Sequence, residues 1–422
     1  MGLSSYRKPD WCLLSFHIYD TIEKKVEESM KNSLIEVAAN EKNPKWENII
    51  RRKQPLYVRN NEMRSEFGRD YTRVIHSLAY RRMKHKTQVF FSPQNDHICT
   101  RIEHVTHVES ISYTIANYLG LNVELTKAIA TAHDIGHSPF GHQGEKFLSK
   151  LSQRDIGERF WHEKNGLEMV DKIELLEDPN GNKQNMNLTY SVRDGIISHC
   201  GEIDENKVKP REECNSLDEY VRPNQFAPYT WEACVVKIAD KISYLGRDIS
   251  DAITLGILDS DRKELNGILH PDNDRIINNT NIINDFIFDL CNHSNPEDGL
   301  CFSDEMFQLM NQLKRFNYEK IYLSEKLVKS THYFELILTT IYDVLKKSFA
   351  DREGARKICP ELLTDFEQWL VDYWDGERPE TNQNEVFIHR KDEKSYIQAI
   401  LYYIAGMTDN YATNMYYKII QY

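Results

Sequence analysis

Apolar residues recur along this chain mostly at three- and four-residue intervals, the spacing that gives a helix one buried face. Arg101–Leu119 shows it most clearly, with Ile102, Val105, Val108, Ile111, Ile115 and Leu119 on one side and Gly120 as a stop. The same pattern predicts helices over Leu125–His133, from Gly144 to Leu151, over Gly166–Leu176, Val192–His199 and Trp231–Ile257, and again within 303–349, 361–373 and 393–420. Residues 177–188 are polar and rich in Asn, Gly and Pro, and predict a loop. Residues 258–300 are richer in Asn and Asp and predict a surface insertion between helices. Alternating patterns are confined to Thr87–Ser92 and Glu385–His389, so only short strand or hairpin pieces are expected. The expected class is mostly α, without repeats, coiled coil or low-complexity tracts.

The chain has 422 residues, 40% of them hydrophobic, enough for one large elaborated domain or two that share a core. No apolar run reaches the roughly 18 residues that span a bilayer, and the N-terminus shows no charged segment leading into an apolar one. Eight cysteines (12, 99, 200, 214, 234, 291, 301 and 359) are scattered without a Cys-x-x-Cys pair, which fits reduced thiols. These features together predict a cytoplasmic protein with no membrane association. The net charge of −12 argues against a general nucleic-acid binder, yet residues 51–101 carry twelve Lys and Arg against four acids, a local +8. That island suggests an anionic ligand. Its ordinary alternative is a salt-bridged helix face.

Ten of the fifteen histidines fall between residues 76 and 199. The densest stretch runs from His133 to Glu145 and holds three histidines, an aspartate, a glutamate, three glycines and a proline. Imidazoles and carboxylates at this density, on a backbone broken by Gly and Pro, suit a metal site. His133 and Asp134 follow a buried apolar helix, where a desolvated carboxylate needs a cation or a donor. On the Arg101 helix, Arg101, His104 and His107 share a face, so a metal ligand at His104 would lie one turn from Arg101. Asp240 lies within the apolar run Val235–Leu245, with Tyr244, Arg247 and Asp248 further along. A buried Asp–Arg pair and metal ligation are its two readings. Two His and two Asp form a mixed nitrogen and oxygen set for Mn²⁺, Mg²⁺, Fe²⁺ or Zn²⁺, and adjacent Arg and Lys point to phosphate-ester hydrolysis. His76, His85, His97 and His199 read as structural or exposed, and Tyr402, Tyr403, Tyr411, Tyr416 and Tyr417 as packing or interface.

His104, His133-Asp134 and Asp240 together form the pattern of the HD-domain phosphohydrolase superfamily. Further blocks, from Arg69-Asp-Tyr-Thr-Arg to Met83, Lys86-Thr-Gln-Val-Phe90, His133-Asp-Ile-Gly-His-Ser-Pro-Phe-Gly-His-Gln-Gly-Glu145, Ala239–Asp248 and Ala405–Ala412, resemble the dGTP triphosphohydrolase family in order over residues 50–415. The long His133–Glu145 string is specific; a bare His-Asp pair is not. The resemblance implies an HD-domain helical fold with N- and C-terminal helical elaborations: an extension over 1–60, a catalytic core over 61–257 and a helical region over 258–422 that completes the pocket and oligomer contacts. It implies one divalent metal per subunit, Mn²⁺ or Mg²⁺ first and Fe²⁺ or Zn²⁺ next, on His104, His133, Asp134 and Asp240. It implies catalytic roles for His142 and Glu145, with His137 and His162 lining the phosphates. It places Arg101 and Lys241 on the triphosphate, Gln88 on the sugar, Tyr244 and Asp248 near sugar and phosphates, and Tyr322 beside the deoxyribose. His107 departs from the glutamate many relatives carry there, and a structural role is favoured. Asp409 and Tyr411 lie in a block near the family's nucleobase pocket.

The implied reaction splits a dNTP, dGTP among the substrates, into deoxynucleoside and tripolyphosphate. Its 5′-alkoxide is a poor leaving group and needs a proton donor. His142 suits that role, with Glu145 orienting it; His142 as nucleophile or base is the alternative. Relatives form hexamers or tetramers, and some respond to dNTPs or single-stranded DNA, for which the 51–86 stretch or the active-site phosphates offer anion contacts. Competing readings are another HD hydrolase (a nucleoside monophosphatase or phosphodiesterase) and a silent nucleotide-sensing regulator.

Overall fold

The computed structural model describes residues 31–57, 61–91, 95–200, 206–269, 279–374, 378–384, 386–389 and 391–421. Most of the expected 1–60 extension and Cys12 therefore lie outside the described residues. Helices dominate. The main ones are α1 (Glu66–His76), α2 (Arg101–Leu119), α3 (Val123–Ala132), α4 (Gly141–Ile156), α5 (His162–Glu168), α6 (Tyr190–Ser198), α7 (Trp231–Thr254), α8 (Asn279–His293), α9 (Asp304–Phe316), α10 (Glu325–Ala350), α11 (Pro360–Leu370), α12 (Glu393–Ala405) and α13 (Asp409–Ile420). Among the described residues no helix is long and apolar enough to cross a membrane, and the seven described cysteines are free.

Local chemistry sets the helix ends. At α2, Glu103 accepts from the Thr100 backbone N–H at 2.7 Å, and Gly120 closes the other end at φ 79°. Asn122 caps α3 by accepting from the N–H groups of Glu124 and Leu125, both at 3.1 Å. Thr230 caps α7 through the Ala233 N–H.

Two apolar clusters hold the helices. The first, around α2, α3, α6 and α7, is built from residues such as Val108, Ile115, Ile129, Ile196, Val235 and Ile242. The second joins α4 to α10, α11, α12 and α13 through Leu148, Leu338, Phe366 and Ile400. The His133–Glu145 stretch runs from the end of α3, in the first cluster, into α4, in the second. Its side chains therefore sit where the two cores meet.

Several elements differ from the sequence pattern. Residues 177–188 are not wholly loop: β1 (Leu175–Glu177) and β2 (Lys183–Asn185) form an antiparallel hairpin, with Leu175 opposite Asn185. Leu175 and Leu176 fall in the stretch expected to be helical, Gly166–Leu176, but pair as strand instead, and three-residue strands are too short to show an alternation. Helix α4 begins three residues before Gly144, because Phe140 at φ 62° and Gly141 at φ 57° complete the turn that launches it. Beyond α5 the backbone widens into a π-helical segment, Met169–Ile173. Within 258–300, where a surface insertion was expected, Arg262–Leu269 and α8 are helical, and residues 270–278 lie outside the described residues. The expected strand pieces reduce to single bridges, Thr87 with Thr100 and Trp374 with Ile388, and residues 92 and 385 lie outside the described residues.

Candidate active site

Three segments converge on one point. Helix α2 presents His104, the turn after α3 presents His133 and Asp134, and α7 presents Asp240. The Nε2 of His104 is 2.9 Å from Asp240 Oδ1, and the Nε2 of His133 is 3.8 Å from the same oxygen. Ligand atoms of these three residues all lie within 4.8 Å of one another. Asp134 adds its carboxylate from one side, 3.7 Å from His104 Nε2 and 3.6 Å from His133 Nε2. The Asp240 side chain is 16% exposed, whereas the rest of its turn is packed.

These donors fit a divalent cation. The Nδ1 of His133 lies 2.6 Å from the Ala130 carbonyl and donates to it, so Nε2 keeps a lone pair. That nitrogen is buried without a hydrogen-bond partner and is turned toward two carboxylates. Acceptors facing acceptors away from water cost about 1–3 kcal/mol for each unsatisfied group, and a cation removes that cost. Two imidazoles, two carboxylates and no thiolate make a set for a hard or borderline metal. Burial opposes ionisation of Asp134, but His137, His133 and Arg101 outweigh it and hold the carboxyl well below its ordinary range. Burial likewise opposes ionisation of Asp240, and His104 and His133 overcome it.

A second group adjoins the first through His137. Its Nε2 is 3.0 Å from Asp134 Oδ1, its ring stacks on His162 at 3.9 Å, and His142 stands edge-on at 5.1 Å. Glu145 accepts from His162 Nδ1 at 2.9 Å and lies 3.4 Å from His142 Nδ1. His142 and Glu145 are one turn apart at the start of α4, on the same face, and the His142 side chain is 56% exposed. Burial works against charge on both Glu145 and His162. The two histidines nevertheless hold Glu145 well below its ordinary range, while Glu163 and Glu145 push His162 up to about 10.

A model of the HD domain matches residues 101–245, the span from Arg101 through Asp240. A deoxyguanosinetriphosphate triphosphohydrolase-like protein of Caldanaerobacter subterraneus subsp. tengcongensis is 32% identical, the match covering 85% of this chain and 86% of that one. The chain belongs to the deoxyguanosinetriphosphate triphosphohydrolase-like family. Similarly named proteins of Desulfatibacillum aliphaticivorans (32% identical; 85% of this chain, 88% of the relative) and Thiobacillus denitrificans (30%; 84% and 91%) match over comparable spans. The protein is thus a phosphohydrolase of the HD type, with His and Asp clusters able to hold a divalent metal.

In this family member the remaining expected residues take several positions. Arg101 is 1% exposed, donates to Asp134 Oδ2 at 2.5 Å and also reaches the Gln88 carbonyl at 3.1 Å. The Gln88 side-chain oxygen is buried without a partner. Lys241 is buried next to Asp240 on α7, and Tyr244 lies one turn from Asp240. Tyr322 donates to Asp248 at 2.5 Å, joining two positions far apart in sequence. Burial pushes the Asp248 carboxyl up to about 7. His107 is half-buried, its pKa lowered by burial and by neighbouring Arg247 and His104.

The basic island is largely consumed internally. Arg52 pairs with Glu66 and Asp70, Arg64 with Glu62, Lys53 with Asp171 and Arg82 with Glu174, while Arg73 donates to the Met186 and Asn185 carbonyls. Arg59 lies outside the described residues. Lys86 is buried, donates to the carbonyls of His137 and Ala405, and is pushed down to about 7 by burial and Arg82. It tethers the loop between α3 and α4 to the end of α12.

Asp409 has a similar bracing role. It accepts from the N–H groups of Phe140 at 2.9 Å and Thr87 at 2.7 Å. Tyr411 donates instead to Asp365 at 2.7 Å and also meets Tyr403. His199, read from the sequence as structural or exposed, is buried, and its Nδ1 lies 2.7 Å from the Ile196 carbonyl. It is 2% exposed and edge-on to His133 at 5.0 Å, inside the cluster. A lone histidine after an apolar run carries no motif that would have flagged it.

Gly136 shows how tightly the loop is seated. A Cβ there would lie 2.1 Å from the Gly166 nitrogen and 2.2 Å from the His162 carbonyl oxygen. Both are backbone atoms that no rotamer can move. Gly136→Ala is expected to destabilise the fold by about 3 kcal/mol or more, read as a shift in the urea midpoint. An unchanged midpoint would contradict this packing.

Proposed function

We propose that the protein is a metal-dependent dNTP triphosphohydrolase, with dGTP among its substrates, that cleaves at the α-phosphorus to release deoxynucleoside and tripolyphosphate. The observation that supports this most is the continuity through His137, which touches Asp134 on one side and the His142–Glu145–His162 group on the other. A cation-ready set and a proton-transfer set therefore share one wall, as cleavage with a poor leaving group requires.

His104, His133, Asp134 and Asp240 would hold the metal, Mn²⁺ or Mg²⁺ first, with Fe²⁺ or Zn²⁺ next. When bound, it supplies Lewis acidity at a phosphate oxygen and lowers the pKa of a coordinated water. His142 gives a proton to the departing 5′ oxygen. Glu145 fixes that ring through Nδ1, which leaves Nε2 directed at substrate. The charged His162, together with Arg101 and Lys241, offsets the triphosphate, and His137 spaces the two sets. Gln88, Tyr244, Asp248 and Tyr322 form the sugar side.

The unpartnered Gln88 oxygen and the Tyr322–Asp248 hydrogen bond support that placement, the latter drawing residues of 258–422 into the pocket. A homo-oligomer of four or six subunits, a dNTP or single-stranded DNA effector and a cytoplasmic setting belong to the same proposal. Incubation with Mn²⁺ and each dNTP in turn tests it, with product identity as the readout.

A further inference from the structure

We propose that Asp409 is a positioning residue for the reaction: its carboxylate holds the strained turn at Phe140 and so keeps His142 aimed at the departing 5′ oxygen. The inference rests on the proposed reading of His142 as proton donor.

The turn itself motivates the proposal. Phe140 sits at φ 62° and ψ 25°, in the left-handed region. A bulky side chain occupies that region only where its surroundings over-determine it, and such outliers gather at functional sites. Gly141 follows at φ 57°, and His142 comes next, in the first turn of α4. Relaxation at Phe140 would therefore shift the start of α4 and carry His142 with it. Two contacts oppose that relaxation. The Phe140 ring stacks on Phe334 at 4.4 Å, and the Phe140 N–H donates to Asp409 Oδ1 at 2.9 Å.

The other carboxylate oxygen reaches a second stretch of chain. Asp409 Oδ2 accepts from the Thr87 N–H at 2.7 Å, next to Gln88. Lys86 makes a matching connection. Its Nζ donates to the His137 carbonyl, and to the Ala405 carbonyl at 2.8 Å. Residues 86–87, 137–140 and 405–409 are thus pinned together twice, once through each buried charged side chain. A single pin would let the loop between α3 and α4 pivot; two pins at its His137 and Phe140 positions fix its orientation. Burying charged groups is costly, and apolar packing often stabilises a fold as well or better. Stability alone is therefore a poor explanation for Asp409. Control of the turn that precedes His142 accounts for where both of its oxygens go.

The test uses the full chain at saturating Mn²⁺. Asp409→Ala removes both acceptors. Turnover of the dNTP hydrolysed fastest should fall about 10–100-fold, the usual effect of losing a group that orients an active residue. Turnover of the same dNTP with sulfur as its bridging 5′ atom should change little, because a thiolate leaves without a proton. A merely structural role would slow both substrates alike, and that result would overturn the proposal, as would unchanged turnover of the dNTP. If Asp409→Ala does not fold by circular dichroism, Asp409→Val, which fills more of the space and also lacks an acceptor, is measured against the same outcomes. His142→Ala is run alongside. If it spares the sulfur analogue and the Asp409 variant does not, the positioning role alone falls. If it slows both substrates alike, the proton-donor reading falls and the inference with it.

Discussion

Asp240→Asn is expected to reduce metal affinity by more than the ~10–100-fold that follows loss of a group behind a ligand, and to bring hydrolysis to background. Asp240 Oδ1 is the oxygen on which both His104 and His133 converge, at 2.9 and 3.8 Å. Asparagine keeps the shape but removes the charge, and its amide nitrogen can turn a donor toward the lone pairs that a cation needs. The measurement is Mn²⁺ binding by calorimetry, with turnover in parallel. Near-normal affinity would remove Asp240 from the ligand set. Because its side chain is partly exposed, at 16%, the fold should tolerate the change, and circular dichroism should be unaltered.

His142→Ala should have the opposite profile, with metal bound as before and turnover reduced about 10²–10⁴-fold. The side chain is 56% exposed and stands one turn from Glu145, so truncation leaves no buried hole. If His142 is the proton donor, the defect should shrink for an ester whose leaving group is a stabilised phenolate, since that departure needs no proton. An equal loss on both kinds of ester would point to the nucleophile or base role instead. Full activity would end its assignment altogether.

Much of this site was legible in the chain. The 3.6-residue rhythm of Arg101–Leu119 set α2 to its observed ends. The His133–Glu145 string stood out as a dense group of imidazoles and carboxylates, and the structure places His137 against Asp134 on one side and His142 and His162 on the other. What stayed hidden depended on distant partners. The basic residues looked like an anion site because several of their acceptors lie far along the chain: Lys53 pairs with Asp171, Arg82 with Glu174, and Arg73 with carbonyls more than a hundred residues away. His199 looked ordinary because only the packing of α6 against α3 and α5 brings it to His133 and Asp134. The β1–β2 hairpin was lost in a polar stretch where three-residue strands leave no period to read. Local rhythm and dense motifs therefore showed, whereas the outcome of long-range charge pairing did not.

The bond cleaved remains the central claim, and oxygen labelling tests it most directly. The reaction is run with Mn²⁺ and dGTP in ¹⁸O-enriched water, and the products are separated and weighed by mass spectrometry. Attack at the α-phosphorus predicts unlabelled deoxyguanosine and tripolyphosphate carrying one ¹⁸O on a terminal phosphate. Pyrophosphate with dGMP, or label in the deoxyguanosine hydroxyl, would contradict the account.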